Sequence, residues 1–139
     1  MILLDTNVLS ELIRPTPDER VTAWLDSLDS STVATTSITA AELLYGVARL
    51  PAGRRKKRLT DAIHGLLDED LGGRIEPFDS TAADHYASIV SDRDTAGRPI
   101  SMADAQIASI CRRLGAALAT RNTSDFDRTG IDLIDPWNV

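Results

Sequence analysis

Four acidic residues, Asp5, Glu42, Asp104 and Asp125, each stand at the boundary of an expected element and carry the clearest chemistry in this chain. They are far apart in sequence. Yet each falls where an α/β fold would bring it towards one end of a sheet. Carboxylates gathered there repel one another unless a hard cation neutralises them. Such a cation takes oxygen ligands, and Mg²⁺ or Mn²⁺ suits the set. The pattern points to a metal-dependent enzyme acting on phosphate esters.

The elements that must position these acids alternate along the chain. Ile2-Leu3-Leu4 is a continuous apolar run, as expected for a strand buried on both faces of a parallel sheet. Asp5-Thr6-Asn7 follows, three good N-cap types, and Val8 to Ile13 reads as a short helix closed before Pro15. A helix is expected over Pro17 to Leu28, with an apolar stripe of Val21, Trp24, Leu25 and Leu28. Strands are expected at Thr32 to Ser37, Ile75 to Phe78, Ala117 to Thr120 and Ile131 to Ile134. Further helices are expected at Thr39 to Leu50, Arg54 to Leu71, Thr81 to Asp94 and Ser101 to Leu114, the last with Gly115 as C-cap. Strand–helix alternation predicts a parallel sheet covered by helices, with no repeat and no linker.

Each acid also has a purely structural reading. Asp5 can simply cap the helix that follows, although sites in open α/β sheets lie beyond the carboxyl ends of strands. Thr39-x-x-Glu42 has the form of a capping box. Gly46, one turn later, costs about 1 kcal/mol relative to Ala in a helix interior, and its small size would let a substrate or backbone approach that face. Ser101-x-x-Asp104 resembles a second box, but Asp104 shares a helix side with Ile107, Ala108 and Cys111, where a carboxylate needs a partner or a cation. Asp125 lies in the polar loop Thr120 to Asp127. Capping and metal binding coexist at helix N-termini. The joint occurrence of these acids at successive strand ends favours a site.

Composition narrows the class. The chain has 139 residues, 42% hydrophobic, which suits one domain with a sizeable core. The single cysteine, Cys111, excludes an intrachain disulfide and a cysteine-based zinc site, fits a reducing cytoplasm, and reads as a core residue. The start lacks a basic n-region, and no apolar run approaches the roughly 20 residues of a membrane span, so a soluble cytoplasmic protein is expected. Net charge is −6, which opposes bulk attraction to nucleic acid, yet Arg54, Arg55, Lys56, Lys57 and Arg58 crowd into one short stretch. His64 and His85 lie outside the acidic segments.

The chain resembles the PIN-domain ribonucleases, more narrowly the VapC toxins of VapBC type and their FitB-like relatives. The resemblance spans nearly the whole chain. It rests on Leu3 to Glu11, Thr39-Ala-Ala-Glu42-Leu-Leu-Tyr-Gly46, Ile100-Ser-Met-Ala-Asp104-Ala-Gln-Ile-Ala108 and Ala119-Thr-Arg-Asn122-Thr-Ser-Asp-Phe126. It implies a three-layer α/β/α sandwich and an acidic pocket that hydrolyses RNA with Mg²⁺ or Mn²⁺. Asp5, Glu42 and Asp104 match the three core acids. The fourth maps to Asp125, with Asn122 and Asp127 as alternatives, since many relatives carry an acid where this chain has Asn122. Thr6, Asn7, Thr120 and Asn122 match supporting polar positions. The resemblance further implies a homodimer and a VapB-like antitoxin. That antitoxin would block the pocket with a basic side chain and would be the chain's only route to DNA.

Arg54, Arg55, Lys56, Lys57 and Arg58 would form a phosphate-holding edge that positions RNA without reading its sequence. Arg112, Arg113 and Arg121 are further candidates, and Arg121 could instead meet the antitoxin. With aromatics at 4%, recognition by shape is favoured over base stacking. Two rival readings remain open here. One is a non-catalytic or weakly catalytic subunit of a DNA-bound repressor complex. The other is a different Mg²⁺-dependent phosphoryl-transfer enzyme, against which stands Asp5-Thr6-Asn7 in place of the Asp-x-Asp usual in haloacid-dehalogenase-like phosphatases.

Overall fold

The computed structural model describes all residues, 1–139. Its strands are β1 (Ile2–Leu4), β2 (Val33–Thr36), β3 (Ile75–Glu76), β4 (Ala117–Ala119) and β5 (Leu133–Ile134). Its helices are α1 (Thr6–Leu12), α2 (Glu19–Asp26), α3 (Ser37–Ala48), α4 (Arg54–His64), α5 (Ser80–Thr95) and α6 (Met102–Leu114). The strands form one parallel sheet in the order β3-β2-β1-β4-β5. Leu4 is in register with Thr35 on one side and Ala119 on the other.

Strand alternation divides the core between the two faces of this sheet. Leu4, Val33 and Ala119 pack with Val8, Val21, Leu43 and Ile63 from α1 to α4. Leu3, Ala34 and Leu118 pack with Ile89, Ile107 and Ile110 from α5 and α6. The architecture is therefore the expected three-layer α/β/α sandwich. Val21 is fully buried, and Trp24 and Leu25 pack against the same core. Along the α2 stripe only Val21 is fully buried, while Trp24, Leu25 and Leu28 stay partly exposed.

Order reverses at β1: the chain moves outward to β2 and β3, then returns to β4 and β5 on the other side. Such a switch point opens a crevice at the carboxyl edge of an α/β sheet. Asp5 follows β1 there, and its N–H donates to the Ala119 carbonyl at 3.0 Å. α6 precedes β4 in the crossover, so its N-terminus and Asp104 return to the same edge. Gly115, at φ +63°, ends α6 in the left-handed conformation that glycine favours.

Two local expectations change. The Thr39–Glu42 capping box does not form. The N-cap of α3 is Thr36, whose Oγ1 accepts from Thr39 N at 3.0 Å. Helix thus begins directly at the end of β2, and Glu42 keeps its carboxylate free. Replacing Thr36 with Ala is expected to cost about 1–2 kcal/mol, because a buried cap is lost and an amide is left unpaired. A lower urea midpoint at unchanged m-value would register it. The expected helix from Arg54 to Leu71 is α only to His64, then a π segment over Gly65–Asp70. The π segment begins at Gly65, where the absent side chain makes helix weakest. The wider turn, with Leu71 N donating to Leu66 O at 2.9 Å, brings Leu66, Leu67 and Leu71 together into the core.

Candidate active site

Asp5 is the centre of the crevice. It is only 6% exposed and caps α1, accepting from Thr6 N at 2.8 Å. Thr120 Oγ1 donates to its Oδ2 at 2.8 Å, and Asn7 Nδ2 approaches the same oxygen at 3.4 Å. The support extends outward: Asn7 Nδ2 donates to Thr120 Oγ1 at 3.2 Å, Arg121 N to Asn7 Oδ1 at 3.1 Å, and Asn122 N to Thr120 Oγ1 at 3.1 Å. Capping and site-building therefore coexist in Asp5. Thr6, Asn7, Thr120 and Asn122 all surround it, and Asn7, bonded to Thr120 Oγ1 and Arg121 N, binds the turn after β4 to α1.

Asp5, Glu42 and Asp104 line one cleft of about 450 Å³ together with Thr6, Asn7 and Asn122. Burial raises the Asp5 carboxyl above the usual carboxylate range and Asp125 adds to the rise, while bonds from Thr120, Thr6 and Asn7 oppose it. Glu42, exposed at the rim, is raised by partial desolvation and then by Asp5 and Asp104, against the nearby Thr6 hydroxyl. Asp104, half-buried, is raised by burial and by Asp5 and Asp125, with Ser101 and the Arg93 cation opposing. Ser101 is the expected N-cap of α6, accepting from Asp104 N at 3.2 Å. Each of the three carboxylates thus resists ionisation partly because of another.

Asp125 sits in an exposed 3₁₀ turn (Thr123–Phe126) beside the cleft, close enough for its charge to reach Asp5 and Asp104. Of its alternatives, Asn122 lines the cleft, and Asp127 is paired with Arg98. Three further residues line the cleft without having been singled out: Ser10, Glu11 and Trp137. The i+4 spacings Thr6–Ser10 and Asn7–Glu11 carry the signal for the first two. Glu11 is already engaged by Arg14 (3.1 Å) and by Asp18 N (3.0 Å). Trp137 comes from the tail after Pro136, and its ring lies 4.8 Å from the Arg121 guanidinium, a cation–π contact.

The basic residues divide. Arg121 stands at the cleft. Arg55 lines an adjoining cleft of about 250 Å³ that shares Thr6, Ser10 and Glu42 with the acidic one. Gly46 also lines it, and no atom lies within 4 Å of where its Cβ would be, so that face of α3 is open. Arg54 and Arg58 are exposed, Lys56 donates to Ala48 O at 3.0 Å, and Lys57 pairs with Asp61 at 3.6 Å. Arg112 is not brought to the acids. It lies near the far end of α6, about 12 Å along the axis from Asp104 at 1.5 Å per residue, against Gly130. Arg113 is held by Glu76 and Asp79, each at 3.3 Å. His64 is exposed beside Asp68, and Cys111 is fully buried with its thiol pushed up to about 12 by burial, hence inert.

The donors fit a hard divalent cation. All are oxygens, the carboxylates resist sharing the cleft as free anions, and the buried Thr6 Oγ1 makes no well-formed hydrogen bond although the Glu42 carboxylate lies near it. No three acidic, His or Cys side chains are drawn into a closed ligand cluster. Mg²⁺ does not need one, since it keeps several waters and takes only one or two carboxylates directly. A larger cavity of about 740 Å³ lies under α2 with a mostly apolar lining, including Leu4, Leu12, Leu25 and Leu66, and offers this chemistry nothing.

The PIN domain family profile matches residues 2–132. The chain is 44% identical to Toxin FitB of Neisseria gonorrhoeae over 138 residues, covering 99% of both. It is 42% identical to VapC ribonuclease Y4jK of Sinorhizobium fredii over 137 residues, covering 99% of this chain and 98% of that one. The solved structure of FitAB bound to an IR36 DNA fragment superposes with a TM-score of 0.92 at 42% identity, covering 100% of this chain and 97% of that one. By fold, acidic crevice and kinship alike, the chain belongs to the PIN-domain family, among the VapC- and FitB-type toxins.

Proposed function

We propose that the chain is a Mg²⁺- or Mn²⁺-dependent endoribonuclease and the toxin of a toxin–antitoxin pair, acting as a single domain in the cytoplasm. The observation that carries this reading is the shared cleft of Asp5, Glu42 and Asp104, in which each carboxylate is raised by burial and by its neighbours. Asp5, Glu42, Asp104 and Asp125 are the ligand set, with Thr6, Asn7, Thr120 and Asn122 fixing it. A divalent cation held there supplies charge stabilisation to the phosphoryl oxygens and lowers the pKa of a water. The protein's own part is positional. The network around Asp5 holds one carboxylate rigidly, Glu42 closes the cleft from α3, and Asp104 or Asp125 accepts a hydrogen bond from the attacking water.

RNA enters over the open face of α3, between the acids and the basic start of α4. Arg55 and Arg121 are the phosphate contacts nearest the cleft. Replacing Arg55 with Glu is expected to raise KM by about 10-fold, with kcat within twofold and a shallower dependence of KM on salt. Steady-state cleavage at two ionic strengths checks this.

The partner is an antitoxin that inserts a basic side chain into the acidic cleft. Likeness to FitAB bound to a DNA fragment supports a second role in a DNA-bound assembly; in this reading DNA is reached only through the antitoxin, and the toxin is a homodimer. Induction in a bacterial host lacking the partner tests the toxin reading. Growth arrest with RNA fragmentation is expected from the wild type and not from Asp104→Asn. Equal growth of both, at equal soluble expression, contradicts it.

A further inference from the structure

Arg93, near the end of α5, is only 4% exposed, and its guanidinium forms no ion pair with a carboxylate. It is bonded to main-chain carbonyls from two separate loops. Nε donates to Arg98 O at 2.6 Å and Nη2 reaches Pro99 O at 3.4 Å, in the connection between α5 and α6. Nη1 donates to Asp125 O at 3.0 Å and Asp127 O at 2.7 Å, in the loop after β4. Arg98 adds an outer tie, pairing its side chain with Asp127, while Arg98 N donates to Arg93 O at 2.8 Å. Asp125 is thereby left as the one carboxylate of this loop whose side chain is not engaged by a cation.

A buried cation with no carboxylate paired to it is costly unless its donors are well used, and the Arg93 charge reaches Asp104 only at longer range. The planar fork of Arg meets carbonyls arranged on two sides, which the single nitrogen of Lys cannot do. We propose that Arg93 is the positioning residue for Asp125, its guanidinium locking the 122–127 loop to the α5–α6 connection so that the Asp125 carboxylate faces Asp5 and Asp104. This rests on the reading of Asp125 as part of the carboxylate site.

The test uses the full chain freed of any partner, with Mn²⁺ as the probe, followed by loss of its free-ion EPR signal. Arg93→Lys keeps the charge and removes the fork. It is expected to weaken Mn²⁺ binding by about 10-fold or more, and kcat is expected to fall while KM stays within twofold. Asp125→Ala is expected to match it. The double variant is expected to be no weaker than Asp125→Ala alone, since both act through one carboxylate. Unchanged Mn²⁺ affinity in folded Arg93→Lys, or losses that multiply in the double variant, would overturn the proposal. Should Arg93→Lys not fold, the wild type decides: the Arg93 Nε proton must exchange as slowly as core amides, and fast exchange overturns the locking role. A wild type that binds no Mn²⁺ instead overturns the metal reading, and Arg93 is then judged by that exchange alone.

Discussion

Replacing Asp104 with Asn is expected to lower RNA cleavage by about 10³-fold or more, equivalent to about 4 kcal/mol of lost transition-state stabilisation. The substitution preserves size and leaves the Ser101 cap of α6 in place, because that cap is made to the Asp104 backbone N–H. What changes is one anionic oxygen in a cleft where Asp5 and Asp125 already raise the energy of the charged form. In the metal-free protein that charge is a burden, so its loss relieves repulsion. The loss of a favourable charge at a helix N-terminus, about 0.3–1 kcal/mol, works the other way. A small change in the urea midpoint alongside collapsed activity is therefore the expected combination, with single-turnover rates separating chemistry from binding. Activity within tenfold of wild type would remove Asp104 from the machinery.

Stability should depend on pH and metal in a linked way. The carboxyls of Asp5, Glu42 and Asp104 are all raised in the folded state. Unfolded chains release these protons first as pH rises above about 4. The favourable contribution of these groups is therefore complete below that point and is lost as pH climbs through their folded values. Asp18 and Asp29 are shifted the opposite way, Asp18 to about 2, and their contribution disappears only at strongly acid pH. Metal-free protein is expected to lose melting temperature as pH rises from about 4 through the folded values of these three carboxyls. At 100 times its dissociation constant, Mn²⁺ adds roughly 2.7 kcal/mol, or about 8 °C in Tm for a chain of this size. At a fixed Mn²⁺ concentration that gain should shrink as pH falls towards about 4, where protons compete for the same oxygens. Calorimetry with EDTA and with Mn²⁺ across a pH series checks it. An equal gain in Asp104→Asn would place the ion elsewhere.

Much of this was legible in the residues. Ile2-Leu3-Leu4 followed by Asp5 carries both the buried parallel strand and the acid at its end, because apolar continuity and a capping carboxylate are local signals. The same holds for Ser101 and Asp104, and for Gly115 closing α6. Legibility failed where the deciding contact is remote or the spacing ambiguous. Thr39-x-x-Glu42 satisfies the capping-box pattern, but β2 ends one residue before α3, so Thr36 takes the cap instead. Gly65 is tolerated in a helix pattern, and only the packing of Leu66, Leu67 and Leu71 shows why the turn widens there. Arg93, inside the polar run Ser91-Asp92-Arg93-Asp94, reads as a solvated helix residue, since its carbonyl partners at 125 and 127 lie more than thirty residues away. Trp137 is invisible as a site residue for the same reason. Arg112 shows the converse: nearness in sequence to Asp104 says little when a helix carries the side chain to the opposite end.

Cleavage of total cellular RNA by antitoxin-free protein, with new 5′ ends mapped, tests the central claim most directly. Reactions with Mg²⁺ or Mn²⁺ are compared with excess EDTA and with Asp104→Asn. The account predicts discrete ends in the presence of metal that vanish in both controls, and those ends identify the RNA that is cut. Folded, metal-loaded protein that yields no new ends, or ends that persist in EDTA or in Asp104→Asn, would contradict it.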